Sequence, residues 1–154
     1  MRFGYLIPAL VAGVLTLSGC GGEAPRAAEP AALAKPAPTL AELPAPYNEA
    51  DLDAGKKLFG RKCASCHYVQ ADKGDLVGPN LHGVFERGVG TKLNYNYSPA
   101  LKNFEHEQWS PELIDKWLVE PQGFVPGTAM FFPGLKEPTD RRDLIAFLQI
   151  ESRK

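Results

Sequence analysis

Cys63-Ala64-Ser65-Cys66-His67 decides how the rest of this chain is read. Two thiols three positions apart, followed at once by an imidazole, form the C-x-x-C-H arrangement through which haem is attached to protein. The spacing has a chemical reason. Each thiol can add to one vinyl group of the porphyrin, and the adjacent histidine is then held under the iron as an axial ligand. Other uses of a cysteine pair fit less well. A thioredoxin-like redox pair belongs in a βαβ setting, and the surrounding sequence reads as helix and irregular loop. A structural zinc site takes four ligands, usually as two pairs, whereas the third and last cysteine, Cys20, stands alone near the start of the chain. A plain disulfide between Cys63 and Cys66 leaves the long irregular stretch that follows without a reason.

Just before the motif, Leu52, Gly55 and Phe59 share one helical face, and Gly55 leaves room for another helix to come close. After it, Asp72 to Gln108 is rich in Gly, Asn and Pro and contains no convincing alternating strand. So much irregular chain is out of place in a compact domain, unless the chain wraps something that is not protein. Ser110-Pro111-Glu112 then supplies an N-cap, a proline at the first helical position and an acid in the first turn. That helix is expected to run to Val119 or Glu120, where Pro121 stops it. Thr139 is placed to cap a final helix in which Leu144, Phe147 and Leu148 form a stripe, with Asp140 favourable to its dipole. The expected fold is all-α, with three to five helices and long loops around one covalently attached haem.

A second axial ligand settles what the iron can do. Met130 is the only methionine besides Met1. It stands in Pro126-Gly127-Thr128-Ala129-Met130, a turn-rich loop between two helices rather than on a helical stripe. The other candidates are His82 and His106. His106 lies in Glu105-His106-Glu107 and reads as a solvated surface residue, and His82 follows the Gly78-Pro79-Asn80 turn closely and reads as structural. Ligation by His67 and Met130 is therefore expected, and a thioether on iron raises the potential relative to two imidazoles.

The chain has 154 residues, with 17 Lys+Arg against 18 Asp+Glu. A net charge of −1 offers no basic excess for nucleic acid. Residues 1–19 read as a signal peptide, with Arg2 ahead of a short apolar run interrupted by Pro8. Leu17-Ser18-Gly19-Cys20 resembles the lipobox of bacterial lipoproteins, so Cys20 is expected to carry lipid. Residues 20–48 read as that lipidated cysteine plus a tether. Of the 28 residues from Gly21 to Asn48, nine are Ala and six are Pro, without a repeating apolar face. Proline favours extended geometry at about 3.1 Å per residue, which gives a reach of at most roughly 90 Å. Residues 49–154 are left as the haem domain.

Taken together, these blocks resemble class I cytochromes c, in particular the mitochondrial-like and alphaproteobacterial branch, here in a lipid-anchored form. The resemblance rests on Gly55-Lys56-Lys57-Leu58-Phe59, on Gly78-Pro79-Asn80-Leu81-His82-Gly83-Val84-Phe85 and on Pro126-Gly127-Thr128-Ala129-Met130-Phe131-Phe132, in order around the haem motif. It implies that the Pro79 carbonyl accepts the Nδ1 proton of His67. It also implies that Arg87, Tyr97, Trp109 and Thr128 contact the haem propionates. Gly55 and Phe59 would meet Leu144 and Phe147 where the terminal helices cross, and Phe132 would cover the Met130 side of the haem. Trp117 stands where the family usually has a tyrosine. Leu76, Gln122, Gly123 and Ala129 replace lysines common at the haem edge, although Lys56, Lys57 and Lys62 remain. Arg142 takes the place of a capping-box glutamate.

The function implied is that of a single-electron carrier, not an enzyme, with no small-molecule substrate. Its expected partners are membrane redox complexes, a quinol:cytochrome c oxidoreductase as donor and a terminal oxidase as acceptor, together with the lipid bilayer through Cys20. The expected location is the periplasmic side of a bacterial membrane, the cytoplasmic membrane rather than the outer one. Two alternatives stay open at this point. The domain can be a fixed electron-entry subunit of a larger oxidase or reductase, or Met130 can dissociate readily and leave a peroxidase-type or gas-binding haem.

Overall fold

The computed structural model describes residues 36–154. Five α-helices occur there: α1 (Leu52–Lys62), α2 (Pro99–Lys102), α3 (Pro111–Val119), α4 (Pro121–Phe124) and α5 (Pro138–Glu151). The fold is all-α, as expected, and without strands among the described residues. A single antiparallel bridge between Gly88 and Gln108 is the only sheet-like pairing there. None of these helices is long and apolar enough to cross a membrane.

The Asp51 side chain caps α1 by accepting from the Ala54 N–H at 2.9 Å, and Arg61 and Lys62 stand in its last turn, where cations complement the helix dipole. Its buried face is Gly55, Leu58 and Phe59. The absent side chain at Gly55 permits a close crossing with α5. A Cβ there would lie 2.2 Å from the Asp143 carbonyl oxygen and 3.0 Å from the Phe147 Cβ. One turn on, the Phe59 and Phe147 rings meet at 5.5 Å. The crossing implied by resemblance is therefore formed, with the Asp143 backbone as a further contact.

The α3 helix follows its sequence signals closely. The Ser110 hydroxyl accepts from the Leu113 N–H at 3.1 Å, Pro111 opens the helix, and it ends at Val119, ahead of Pro121. In α5 the sequence reading needs two corrections. The helix opens at Pro138 with Glu137 as its N-cap, so Thr139 lies inside the first turn. Proline's fixed φ suits the first helical position and moves the start one residue upstream. The buried surface is also wider than a stripe, since Arg141 and the whole run from Asp143 to Ile150 are buried. α5 is packed against α1, α3 and the 3₁₀ turn Tyr47–Glu49, which leaves little of its circumference for water.

Asp72 to Gln108 is mostly irregular, as expected, but contains the 3₁₀ turn Val84–Glu86 and the short α2, capped by Ser98. The start of the packed domain also moves. Leu43 and Tyr47, assigned by composition to the tether, are only 6% exposed and belong to the same core as Leu144 and Phe147. Thr39 and Glu42 close a capping box just upstream, the Thr39 N–H donating to the Glu42 carboxylate at 2.7 Å. Packing thus begins about ten residues before Glu49. The signal peptide, Cys20 and most of the tether lie outside the described residues.

Candidate haem-binding site

The haem motif continues directly from α1. The Cys63 N–H donates to the Phe59 carbonyl at 2.8 Å, and the Cys66 and His67 N–H groups both donate to the Cys63 carbonyl, at 3.0 and 2.9 Å. This single turn places both thiols and the imidazole at the exit of one helix. Both cysteines are free and partly buried. Burial, with a smaller contribution from neighbouring Cys66, pushes the Cys63 thiol up to about 11. A reactive redox thiol needs its pKa lowered, and burial acts in the opposite direction at Cys63. No cluster of three or more His, Cys, Asp or Glu placed to hold a metal ion occurs among the described residues.

His67 is fixed from two directions. Its Nδ1 lies 2.7 Å from the Pro79 carbonyl oxygen, so Nδ1–H donates there and Nε2 is the nitrogen left for a metal. The flat of the ring rests on Gly78, where a Cβ would lie 2.2 Å from the imidazole Cε1 and 2.7 Å from each ring nitrogen. Burial pulls the imidazole below its ordinary 6.5, opposed by the bond to Pro79. A neutral imidazole is the form that coordinates iron. Two further bonds knit the motif to this turn, Gly78 N–H to the Cys66 carbonyl and Leu81 N–H to the Tyr68 carbonyl, each at 2.8 Å.

Asn80, which sequence reasoning noted only as part of a turn, holds this side together. It is 3% exposed. Its amide nitrogen donates to the Gln70 and Lys73 carbonyls at 2.9 and 2.7 Å, and its Oδ1 accepts from the His82 N–H at 2.7 Å. Arg87 completes the arrangement, donating to the Asn80 and His82 carbonyls at 2.6 and 2.7 Å. Burial lowers the Arg87 pKa, with Tyr97, Asp75 and Glu86 acting in the other direction. Arg87 and Tyr97 are thus electrostatic neighbours, and the Trp109 N–H donates to the Arg87 carbonyl at 3.3 Å. Three of the four residues matched to propionate contacts, Arg87, Tyr97 and Trp109, therefore stand together. His82 has its Nδ1 buried without a partner, and His106 is an exposed residue beside Glu107.

The fourth, Thr128, belongs to the methionine loop. It is 3% exposed, and its Oγ1 accepts from the Met130 N–H at 3.4 Å. The Gln122 side chain donates to the Thr128 carbonyl at 2.7 Å and to the Met130 carbonyl at 3.3 Å. Gly127 adopts φ +88°, a conformation that favours glycine and turns the chain ahead of Met130. Met130 and Phe132 are partly buried against the core. Trp117 is 6% exposed and meets Trp109 and Phe124 edge-on, with ring centroids 5.8 and 6.3 Å apart. An indole in ring contacts on both sides thus occupies the position of the family's tyrosine. Among the described residues no hydrogen bond joins the His67 turn to the Met130 loop.

These residues fit a haem. The chain offers two thiols for thioether bonds, an imidazole with only Nε2 free for iron, and a thioether sulfur. Partly buried aromatic residues (Tyr97, Trp109 and Phe132) pack against the core beside them. The cytochrome c family model matches residues 52–150. A cytochrome c from Gossypium barbadense is 48% identical over 99 residues, covering 64% of this chain and 88% of that one. One from Guizotia abyssinica is 45% identical over 111 residues (72% and 96%), and one from Arabidopsis thaliana is 40% identical over 105 (68% and 93%). The matched region contains the haem motif and both ligand segments, and Cys63 and Cys66 are the two cysteines through which haem c is covalently bound. The chain belongs to the cytochrome c family.

Proposed function

We propose that this protein is a membrane-tethered monohaem cytochrome c that carries single electrons on the periplasmic side of a bacterial membrane, between a quinol:cytochrome c oxidoreductase and a terminal oxidase. The observation that carries the reading is His67 in the C-x-x-C-H motif, held by Pro79 at 2.7 Å so that Nε2 is free for iron, in a domain whose one thioether is Met130. Haem supplies a one-electron couple, and every other part of the task falls to the chain. Cys63 and Cys66 prevent loss of the group. His67 and Met130 would both hold the iron, leaving no position for oxygen or peroxide, and the protein would then transfer electrons without acting as an enzyme. The buried ring of Trp117 and the partly buried rings of Trp109 and Phe132 would supply apolar surroundings for the haem.

The tether follows from Cys20 and the Ala/Pro-rich segment after it. Leu76, Gln122, Gly123 and Ala129 stand where mitochondrial relatives commonly carry lysines, which weakens electrostatic steering toward a partner. Holding the domain near its partners offsets this by raising its effective concentration. The test compares the full chain with a holoprotein that begins at Pro38, ahead of the Thr39–Glu42 capping box. Both are expected to accept electrons equally from a small chemical reductant, and only the full chain to sustain oxidase turnover in membranes at low concentration. Equal turnover by the two would remove the tether from the account.

A further inference from the structure

The peptide group between Pro79 and Asn80 is gripped at both ends. Its carbonyl lies 2.7 Å from His67 Nδ1, and its N–H donates to Asp75 Oδ1 at 2.6 Å. The other carboxylate oxygen, Asp75 Oδ2, accepts from the Lys92 ammonium at 2.9 Å. Both side chains of this ion pair are about three-quarters buried, at 23% and 24% exposure. We propose that Asp75 is a positioning residue that lowers the reduction potential of the haem through the Pro79–Asn80 peptide, and that Lys92 moderates it. The inference rests on His67 being the iron ligand.

The physical route is short. A carboxylate bonded to an amide N–H shifts the amide's resonance toward charge separation and places more negative charge on its carbonyl oxygen. Hydrogen bonds in such a chain strengthen one another by about 10–30% per bond, and a bond to an ionised acceptor is about twice as strong as a neutral one. A more negative Pro79 oxygen draws the Nδ1 proton harder and makes the imidazole a more basic ligand. A more basic ligand favours the oxidised iron, because it donates more charge to the higher oxidation state. Lys92 competes for the same carboxylate and limits how much charge it lends to the peptide. A role confined to holding the loop needs only a hydrogen-bond acceptor at this position; the charge is what the proposal adds.

The test uses the full-length holoprotein and two readouts, the reduction potential and the proton resonance of His67 Nδ1–H. D75N keeps the shape and an acceptor but removes the charge. It is expected to favour reduction severalfold, a tenfold change corresponding to 59 mV for one electron, and to move the Nδ1–H resonance upfield. D75E is expected to return both toward the parent values. K92Q frees the carboxylate and is expected to move both readouts the opposite way from D75N. An unchanged potential and resonance in D75N overturns the proposal, and so does a shift of D75N and K92Q in the same direction, the mark of a loosened loop. If D75N yields no holoprotein, K92Q decides alone, and an unchanged or raised potential overturns the proposal. A sulfur-to-iron absorption band retained in all variants separates this failure from a failure of the His67/Met130 ligation.

Discussion

The two sides of the haem site are built differently. On the His67 side, Asn80, Arg87 and Asp75 join the residues from Gln70 to Lys92 through partly buried hydrogen bonds, all shorter than 3 Å. On the Met130 side, one glutamine side chain and a 3.4 Å contact to Thr128 hold the ligand's own backbone. The first side is a clamp whose parts are too interdependent to move singly. The second is a loop held by fewer and longer side-chain hydrogen bonds. Under the proposed ligation a carrier would gain from such an arrangement, with the covalent and imidazole attachments keeping the haem in place and the thioether setting its electronic character.

The comparison breaks most severely at Gly78. A Cβ at this position would enter the imidazole ring, and backbone on both sides is pinned by the Cys66 and Pro79 bonds. Gly78→Ala is expected to cost about 3 kcal/mol, at the upper end for overpacking, and to reduce the yield of low-spin holoprotein sharply, as read by chemical denaturation and optical spectroscopy. Met130→Ala is expected to cost less, about 2 kcal/mol for a partly buried methionine. It should keep the helical circular dichroism of the parent, retain haem and open one coordination position to an added ligand such as imidazole.

Gln122→Ala sharpens the contrast further. Losing its two carbonyl partners is expected to cost about 1 kcal/mol. That loss should lower the temperature at which the sulfur-to-iron band disappears, with little effect on global unfolding. The smallest effect is the response to acid. At Asp75, burial acts to raise the carboxyl, but the Asn80 N–H, Lys92 and Arg87 together hold it below 3.8. Its contribution is present above 3.8 and is lost as pH falls through its depressed folded value. Denaturation midpoints measured from pH 7 down to pH 3 should stay level to about pH 4 and fall below it.

What could be read from the sequence was local in origin. The haem motif, the Ser110-Pro111 start and Pro121 stop of α3, and the small residue at Gly55 each act within a few positions of themselves. α2 escaped although Ser98-Pro99 repeats the same start signal, because four residues present no periodic apolar face. The packed segment around Leu43 and Tyr47 was hidden by its Ala/Pro-rich surroundings, where isolated apolar residues carry no period. At the site, Pro79 was reached by resemblance alone, while the Asp75–Lys92 pair spans 17 positions of irregular chain and has no sequence signature. Such pairs are made by the loop's path, and the path is visible only in three dimensions. Asn80 is an intermediate case, since a turn residue after Pro is readable but its grip on two distant carbonyls is not.

The central claim is a covalently held haem ligated by His67 and Met130, and the optical spectrum of the oxidised full-length protein at neutral pH tests it most directly. A low-spin haem spectrum with a weak sulfur-to-iron band, lost in Met130→Ala, is the expected result. A colourless folded protein, or a haem protein whose spectrum lacks that band, would contradict the account.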